Sequence, residues 1–592
     1  MDLARLDCPT TPNFASTLNP LNLLNPSTPF LNILNTSYTM TNKQIAYAFD
    51  ELANLMELHE EDAFRIRSYQ NAYLALRKLD RPLADMSDAE IKGIKGVGDA
   101  ISKKIRELIS TGKMPTLEKY RAQTPPGVVE MLDVNGFGPK KVRTVWLDMG
   151  IESVGELWYA CNENRLIEYK GFGLKTQEDL KQKLEYYFKS RDKLHLSTAE
   201  READFVTIWL TGHLPGAHVA AVGELRRRNS VIAQLELLVG CADDLSPAFD
   251  GATLTLEKQE GDDYYVRLES QTLIVLHRCL PAEFGSKLFR YTGSPAFVEA
   301  FAKAAAGVDF KHLATEAAVF EKANLPYIAP ELRENAQVVA LAQQGNLPPL
   351  IEDHDLKGIL HVHTTWSDGL HSLRDMCEHA RTLGYQYIGI TDHSQAAFYA
   401  NGLKPDRVLA QMAEIDQLNM ELAPFRIFKG IESDILNDGS LDYDEAVLAK
   451  FDFVIASVHT NLKMVLEKAT ERVLRAIQNP YTTILGHPTG RLLLSREGYP
   501  LDWEVIFEAC AKHKVAIEVN ANPYRLDLDW TLIAEALRRG IKISINPDAH
   551  SQDGIHDLRY GVMTARKGGL TAADCLNALG VGAFEAWLKD RK

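Results

Sequence analysis

From Thr41 to about Ser190, apolar residues recur at helical spacing, as in Ile45, Phe49, Leu52, Leu55 and Met56, and short glycine-containing turns interrupt the pattern. That spacing gives each segment one apolar stripe, so the region is predicted to be all-α. Between about 200 and 310, runs of β character (Phe205 to Leu210, Leu235 to Val239, Tyr264 to Leu268, Thr272 to His277) alternate with helical stretches, which predicts a small α+β domain. The proline-bearing stretch Pro326 to Glu352 reads as a linker. Beyond it seven short apolar runs alternate with helical segments: Gly358 to His361, Tyr387 to Thr391, Arg426 to Ile431, Phe453 to Ser457, Thr482 to Leu485, Val515 to Val519 and Lys542 to Ile545. Repeated βα units of this length predict a parallel barrel or a wound sheet. Residues 1–40, rich in Asn, Pro, Ser, Thr and Leu and poor in charge, are expected to form a disordered tail. The domain plan is therefore tail 1–40, helical 41–122, helical 123–195, α+β 196–325, linker 326–354 and βα-repeat 355–592.

The residue types that close the seven runs carry the chemistry. They give His361 and His363 with Asp368 beyond, then His393, Glu432, His459, His487, Glu518-Val519-Asn520, and Asp548 with His550. In βα barrels the C-terminal strand ends converge on one face, so seven exits aim at one pocket. Strand alternation predicts that His361 and His363 share a side, as do Asp548 and His550. One such histidine is as often a satisfied core or surface residue, but nine potential ligands exceed what a single tetrahedral ion accepts. Two or three divalent ions are implied, with Glu432 as their bridge. An imidazole and carboxylate set without thiolate suits zinc, manganese or iron and does not choose among them; manganese is expected to support activity. His371, His379, His513 and His556 sit in helical or loop sequence and read as structural.

Composition narrows the classes. Of 592 residues 45% are hydrophobic and 24% charged, which excludes wholesale disorder and coiled coil. No apolar run reaches the roughly 20 residues of a membrane span, so a cytoplasmic protein without a membrane partner, and a monomer, is expected. Seven scattered cysteines without a C-x-x-C argue against a disulfide framework and thiolate zinc sites. A net charge of -15 taken alone disfavours a polyanionic partner. Residues 41–190, however, hold 23 basic and 23 acidic side chains, so the rest of the chain carries the whole excess.

The motifs HVHTTWSDG, TDHS, GIESD, SVH, GHPTGR, EVNANPYRLDL and PDAH, in that order from about 355, resemble the PHP (polymerase and histidinol phosphatase) domain. The resemblance implies a distorted seven-stranded barrel whose trinuclear centre hydrolyses phosphoesters, with His361, His363, Asp368, His393, Glu432, His459, His487, Asp548 and His550 at the ligand positions. Clustered divalent ions acidify a water and neutralise charge on a pentacoordinate phosphorus. Arg491 and Arg525, just past strand exits, either clamp non-bridging phosphate oxygens or sit in plain surface salt bridges. His361, His363, Glu432 and Asp548, with these two arginines, are the candidate catalytic set.

Three glycine pairs, Gly96 with Gly98, Gly136 with Gly138 and Gly171 with Gly173, each precede a helical stretch, with Lys103, Lys104, Lys140, Lys141, Arg143 and Lys175 close by. Such turns let backbone N–H groups meet a phosphate, as in helix-hairpin-helix units that bind DNA without reading its sequence. The order of parts resembles a bacterial family X DNA polymerase: a lyase-like helical domain, a fingers-like domain, a palm, and then the PHP domain. That resemblance implies gapped, nicked or 3′-ended DNA as partner. It sets Lys104 where relatives place a deoxyribose-phosphate lyase amine, although a lysine merely facing DNA explains the position equally. The palm departs from its family: G-S-x-R-R with G-D-x-D appears as Gly223-Glu224-Leu225-Arg226-Arg227 with Ala233-Gln234-Leu235-Glu236, and the third carboxylate position falls at Val275. Gln234 and Val275 cannot hold Mg²⁺, so the palm is expected to be a scaffold. The leading expectation is a metal-dependent 3′-5′ exonuclease or 3′-phosphodiesterase. A gap-filling polymerase, a small-molecule phosphatase and an inert end-binding scaffold are the alternatives.

Overall fold

A computed structural model describes residues 40–79, 81–162, 165–169 and 171–591; apart from Met40, the expected tail lies outside them. The chain divides into two compact units, with the division at Glu185/Tyr186.

The first unit is helical throughout, as the spacing predicts. Its opening helix, Asn42–Leu58, starts at a capping box in which Thr41 and Gln44 satisfy each other's backbone N–H groups. Its apolar stripe packs on the helix Ala63–Leu76. The same tight turn then occurs three times: Val97 N–H donates to Ile94 O, Phe137 N–H to Val134 O and Phe172 N–H to Tyr169 O, each at 2.9 or 3.0 Å. The first glycine of each pair, Gly96, Gly136 and Gly171, has φ of +92°, +72° and +95°, backbone that side chains with a Cβ rarely adopt. The second glycine, Gly98, Gly138 and Gly173, directly precedes the helices Asp99–Thr111, Pro139–Arg143 and Leu174–Ser190.

The second unit combines the α+β region with the barrel. Five strands, β1 (His218–Ala221), β2 (Leu235–Gly240), β3 (Leu254–Glu260), β4 (Asp263–Leu268) and β5 (Leu273–Cys279), form a sheet in the order β1-β2-β5-β4-β3 in which only β2 and β5 run parallel. Phe205 to Leu210 is not a strand but part of the helix Leu196–His213. The aromatic and β-branched run misleads locally, whereas the buried positions Ala199, Ala203, Val206 and Leu210 keep helical spacing and leave Phe205 and Ile208 outside. The linker expectation also fails. The helix Gln337–Gln343 buries Val338, Val339 and Ala342 with Phe289, Phe297, Phe301 and Phe320. Arg333, fully buried, donates to Glu316 at 2.6 Å while its guanidinium lies 4.9 Å from the Phe320 ring centroid.

All seven predicted barrel strands form: β6 (Gly358–Val362), β7 (Tyr387–Ile390), β8 (Arg426–Asp434), β9 (Phe453–Ser457), β10 (Ile484–Leu485), β11 (Ala516–Asn520) and β12 (Ile543–Asn546). They pair in parallel in chain order. Reciprocal bonds from His363 N–H to Ala549 O (2.8 Å) and Ala549 N–H to His361 O (3.2 Å) bring the last strand end back to the first. The result is a nearly closed (βα)7 barrel. Phe453 fills its interior, where ideal Cβ atoms at Gly389 and Gly430 would stand 2.4 and 2.5 Å from the ring.

Candidate metal centre

All nine predicted ligand positions meet at the C-terminal ends of the barrel strands. Three overlapping sets gather most of them: His363, Asp368, His393 and His550; His361, His363 and Asp548; and His393, Glu432 and His459. His361 and Asp548 have φ of +64° and +52°. Simple alternation therefore does not deliver them; the backbone turns into the left-handed region at the strand exits to aim them inward, a strain that the surrounding fold must hold.

Glu432, fully buried, is the hub. Its Oε1 lies 3.2 Å from His361 Nε2, 3.1 Å from His459 Nε2 and 3.0 Å from His487 Nε2. Its Oε2 faces the other side, 2.9 Å from His393 Nδ1 and 3.6 Å from His363 Nε2. Asp548 Oδ1 reaches His363 Nε2 at 3.2 Å and His361 Nε2 at 3.5 Å. Of these atoms, His361 Nε2, His363 Nε2, His393 Nδ1 and Glu432 Oε2 are buried with no hydrogen bond. Buried polar atoms are costly to leave unpaired, and their clustering around Glu432 and Asp548 fits divalent cations between them.

The electrostatics of the cation-free centre agree. Burial opposes charge on every group, yet Glu518, Asp548 and Glu432 together hold the His361 imidazole well above its usual range. Burial likewise works against His459 and His550, but neighbouring carboxylates push them up to about 10 and about 9. Burial, with His550 and His393, drives His363 down to about 3. Burial would raise Glu432 and Asp548; the surrounding imidazoles hold both well below the carboxylate range. Divalent cations held by these residues would compete with the protons, so their binding would release protons.

A second layer orients the ligands. His361 Nδ1 pairs with Glu518 Oε1 at 2.6 Å, and His459 Nδ1 with Asp434 Oδ1 at 2.5 Å. Asp392 accepts from Thr364, Ser367 and Gln411. Glu518 and Asp434 thereby fix the ring orientation of His361 and His459, whereas Asp392 pins the loop that follows His363. The sequence pattern does not single out these three roles, although Glu518, Asp434 and Asp392 all stand within the quoted motifs. The two arginines separate. Arg525 Nε lies 3.8 Å from Asp548 Oδ2, at the centre. Arg491, by contrast, is taken up by Asp529 at 2.6 Å and by the carbonyls of Arg525 and Leu526, so it braces the loop instead of facing a substrate phosphate.

Comparison with known proteins follows the same division. The helix-hairpin-helix domain family matches residues 40–114 and the PHP domain family residues 360–522. The chain is 33% identical over 571 residues, 93% of its length and all of the relative's, to the DNA polymerase/3′-5′ exonuclease PolX of Bacillus subtilis. It belongs to the PolX-like family X DNA polymerases of bacteria. Over 250 residues, 40% of this chain and 97% of the relative, the chain is also 28% identical to a probable phosphatase of Thermoanaerobacter. A PHP domain is metal-dependent, in keeping with the ligand sets above.

In this PolX-like chain the polymerase motif is otherwise engaged. Glu236 on β2 packs against Gly223, where a Cβ would stand 2.1 Å from Oε2. His277 on β5 bridges Glu236 at 3.3 Å and Asp263 at 2.7 Å, and stacks on Tyr291 with ring centroids 4.2 Å apart. Burial opposes its protonation, but hydrogen bonds to both carboxylates raise its pKa. Val275 pairs with Glu236 in the sheet, and Gln234 is exposed. Arg226 binds Glu316 through two bonds, and Arg227 binds Glu334, which also binds Lys567 of the barrel domain.

The hairpin glycines of the first unit divide into two kinds. Gly96, Gly136 and Gly171 are demanded by their positive φ. Gly98, Gly138 and Gly173 are not: Gly98 and Gly138 have φ of -88° and -74°, extended backbone open to any residue, and Gly173 also lies outside the left-handed region. Nor does packing require them, since a Cβ at Gly98, Gly138 or Gly173 would meet nothing within 4 Å. All three are exposed on open surface at helix starts, so neither backbone conformation nor packing demands a glycine there. Lys103, Lys140, Lys141 and Lys175 are exposed nearby, whereas Lys104 donates to Thr116 Oγ1 at 2.7 Å. Among the described residues no helix is long and apolar enough to cross a membrane.

Proposed function

We propose that this chain is a metal-dependent DNA end-processing enzyme, a 3′-5′ exonuclease or 3′-phosphodiesterase, whose palm no longer polymerises. The observation that carries the reading is Glu432, whose two oxygens face separate imidazole sets in a cluster where His361 Nε2, His363 Nε2, His393 Nδ1 and Glu432 Oε2 are buried without a hydrogen bond. The B. subtilis relative is named for both activities. Here the ligand positions are intact, while Gln234 and Val275 stand at polymerase carboxylate positions and Glu236 is tied to His277. When bound, two or three divalent ions (manganese, zinc or iron) supply Lewis acidity and an acidified water. The chain's own residues do the rest. Glu518 and Asp434 hold the rings of His361 and His459 in place, Asp548 and Glu432 provide negative charge between ligand sets, and Arg525 donates to a non-bridging phosphate oxygen. The bare backbone at Gly98, Gly138 and Gly173 and the exposed lysines of the first unit grip the DNA backbone independently of sequence.

The test is a 5′-labelled primer-template with Mn²⁺, with and without nucleotides, using wild type and His363→Ala. Shortening that the variant abolishes supports the proposal. Extension by wild type would restore the polymerase reading, and turnover of small phosphomonoesters alone would make the protein a phosphatase.

A further inference from the structure

We infer that the palm-like domain is a positioning element for the metal centre, setting Arg525 through a contact between His195 and the loop that follows β11. The inference rests on the phosphodiesterase reading, because it concerns how that site is built. The loop between Asn520 and the helix Trp530–Arg538 carries Arg525, whose guanidinium faces Asp548. It is held from two directions. From within the barrel, Arg491 Nε donates to Arg525 O at 2.9 Å, and Arg491 also binds Leu526 O and Asp529. From the palm side, Leu526 is fully buried in the same apolar cluster as Leu210, Leu225 and Leu235. The residues on either side of Arg525 are thus fixed. Tyr524 O accepts from Leu493 N–H at 2.7 Å, and the Tyr524 ring stands edge-on to His195 with centroids 4.8 Å apart.

His195, which immediately precedes the helix Leu196–His213, joins these parts. Its Nε2 lies 3.0 Å from Leu493 O, and a carbonyl can only accept, so Nε2 carries the proton. One imidazole therefore holds the Leu493 carbonyl through a bond and the Tyr524 ring through its edge. A guanidinium carried on a loop loses its aim easily, and misplacement of a charge-bearing donor by about 1 Å can cost on the order of 10²-fold in rate. Retention of a palm that lacks two of its three motif carboxylates then has a physical reason: the barrel alone supplies Arg491, and the palm supplies the apolar seat for Leu526 and the His195 contact.

A double-mutant cycle with Arg525 tests this on the full-length, Mn²⁺-loaded protein. Because His195 acts through Arg525, His195→Ala is expected to lower kcat about tenfold with KM little changed when Arg525 is present, and less than about twofold in an Arg525→Ala background. Manganese content and melting temperature should stay at the wild-type level. His195→Gln, which keeps an N–H for the Leu493 carbonyl, should recover most of the loss. Tyr524→Ala addresses the same contact from the loop side if His195→Ala does not fold, with the same non-additivity expected. Equal proportional losses in both backgrounds, or no loss, would overturn the inference. The cycle is read on a 5′-labelled oligonucleotide and on bis(4-nitrophenyl) phosphate. Absence of DNA cleavage with chromogenic turnover intact would remove the DNA reading, and non-additivity on the small diester would still support the positioning role.

Discussion

Glu432→Gln removes one negative charge at nearly constant volume and gives the sharpest prediction. Glu432 Oε1 serves the side of His361, His459 and His487, and Oε2 the side of His393 and His363. An amide keeps one neutral oxygen and turns an NH₂ toward the other side, so one ligand set loses an oxygen and both lose the shared charge. A unit charge about 4 Å from a cation contributes about 4 kcal/mol at an effective dielectric of about 20. That corresponds to about 10³ in affinity, at about 1.4 kcal/mol per factor of ten. The assay is bound manganese per chain after dialysis against metal buffers of graded free Mn²⁺, together with the nuclease rate at each level. At least one ion per chain should require about 10³-fold more free Mn²⁺, with the nuclease rate falling in parallel. Wild-type stoichiometry at wild-type free metal, with kcat within about threefold, would refute the bridging role assigned from the geometry.

Other outcomes follow from separate parts of the molecule. Gly430→Ala puts a methyl 2.5 Å from the Phe453 ring and 2.7 Å from the Ile390 carbonyl. Overpacking of this kind costs about 1–3 kcal/mol, so calorimetry of the metal-loaded protein should show a lower melting temperature. An unchanged value would mean that the barrel interior yields. Burial alone would raise Glu316, but hydrogen bonds from Arg226 and Arg333 bring its carboxyl down to about 2 from an ordinary value of 4.5. A depressed carboxyl stabilises above its unfolded pKa, so this contribution, about 3 kcal/mol at most, is present above pH 4.5 and disappears toward pH 2. Glu316→Gln should therefore flatten the acid limb of a urea-stability profile in that window, and a limb as steep as in wild type would count against the assignment. Lys140→Ala combined with Lys141→Ala should weaken duplex binding about equally for unrelated sequences. It should also reduce the slope of log K against log salt by roughly 2, a change absent if neither lysine meets phosphate.

Much of the barrel and all nine ligand positions can be read along the chain because the information is local. Most barrel strands are short, fully buried runs, and the ligands lie at or just past their ends. A parallel topology gathers His393, Glu432 and His459, whereas the left-handed backbone that aims His361 and Asp548 inward is not legible in the pattern. The glycine pairs are legible as turns, but a G-x-G in sequence does not say which glycine the backbone needs: only the dihedral angles separate Gly96 from Gly98. Phe205 to Leu210 shows where locality fails: its aromatic and β-branched residues suit a strand, and only the longer register from Ala199 reveals the helix. The stretch after Pro326 fails for a different reason. Its prolines mark turns faithfully, but Arg333 is held by Glu316 and a phenylalanine cluster from elsewhere in the chain, and no pattern within the stretch records that partner.

The arginines make the general point, since their side chains are long and their function is decided by whichever carboxylate or carbonyl they reach. Arg491 and Arg525 follow successive strand exits with similar prospects in sequence. One is drawn to Asp529 and two carbonyls, while the other is left beside Asp548 at the centre. Arg226 and Arg227, the pair retained from the polymerase motif, are bound by Glu316 and by Glu334 with Lys567. Through Glu334 this charge joins the palm to the segment after Pro326 and to the barrel domain. A motif arginine can thus be legible in sequence while the carboxylate that binds it is not.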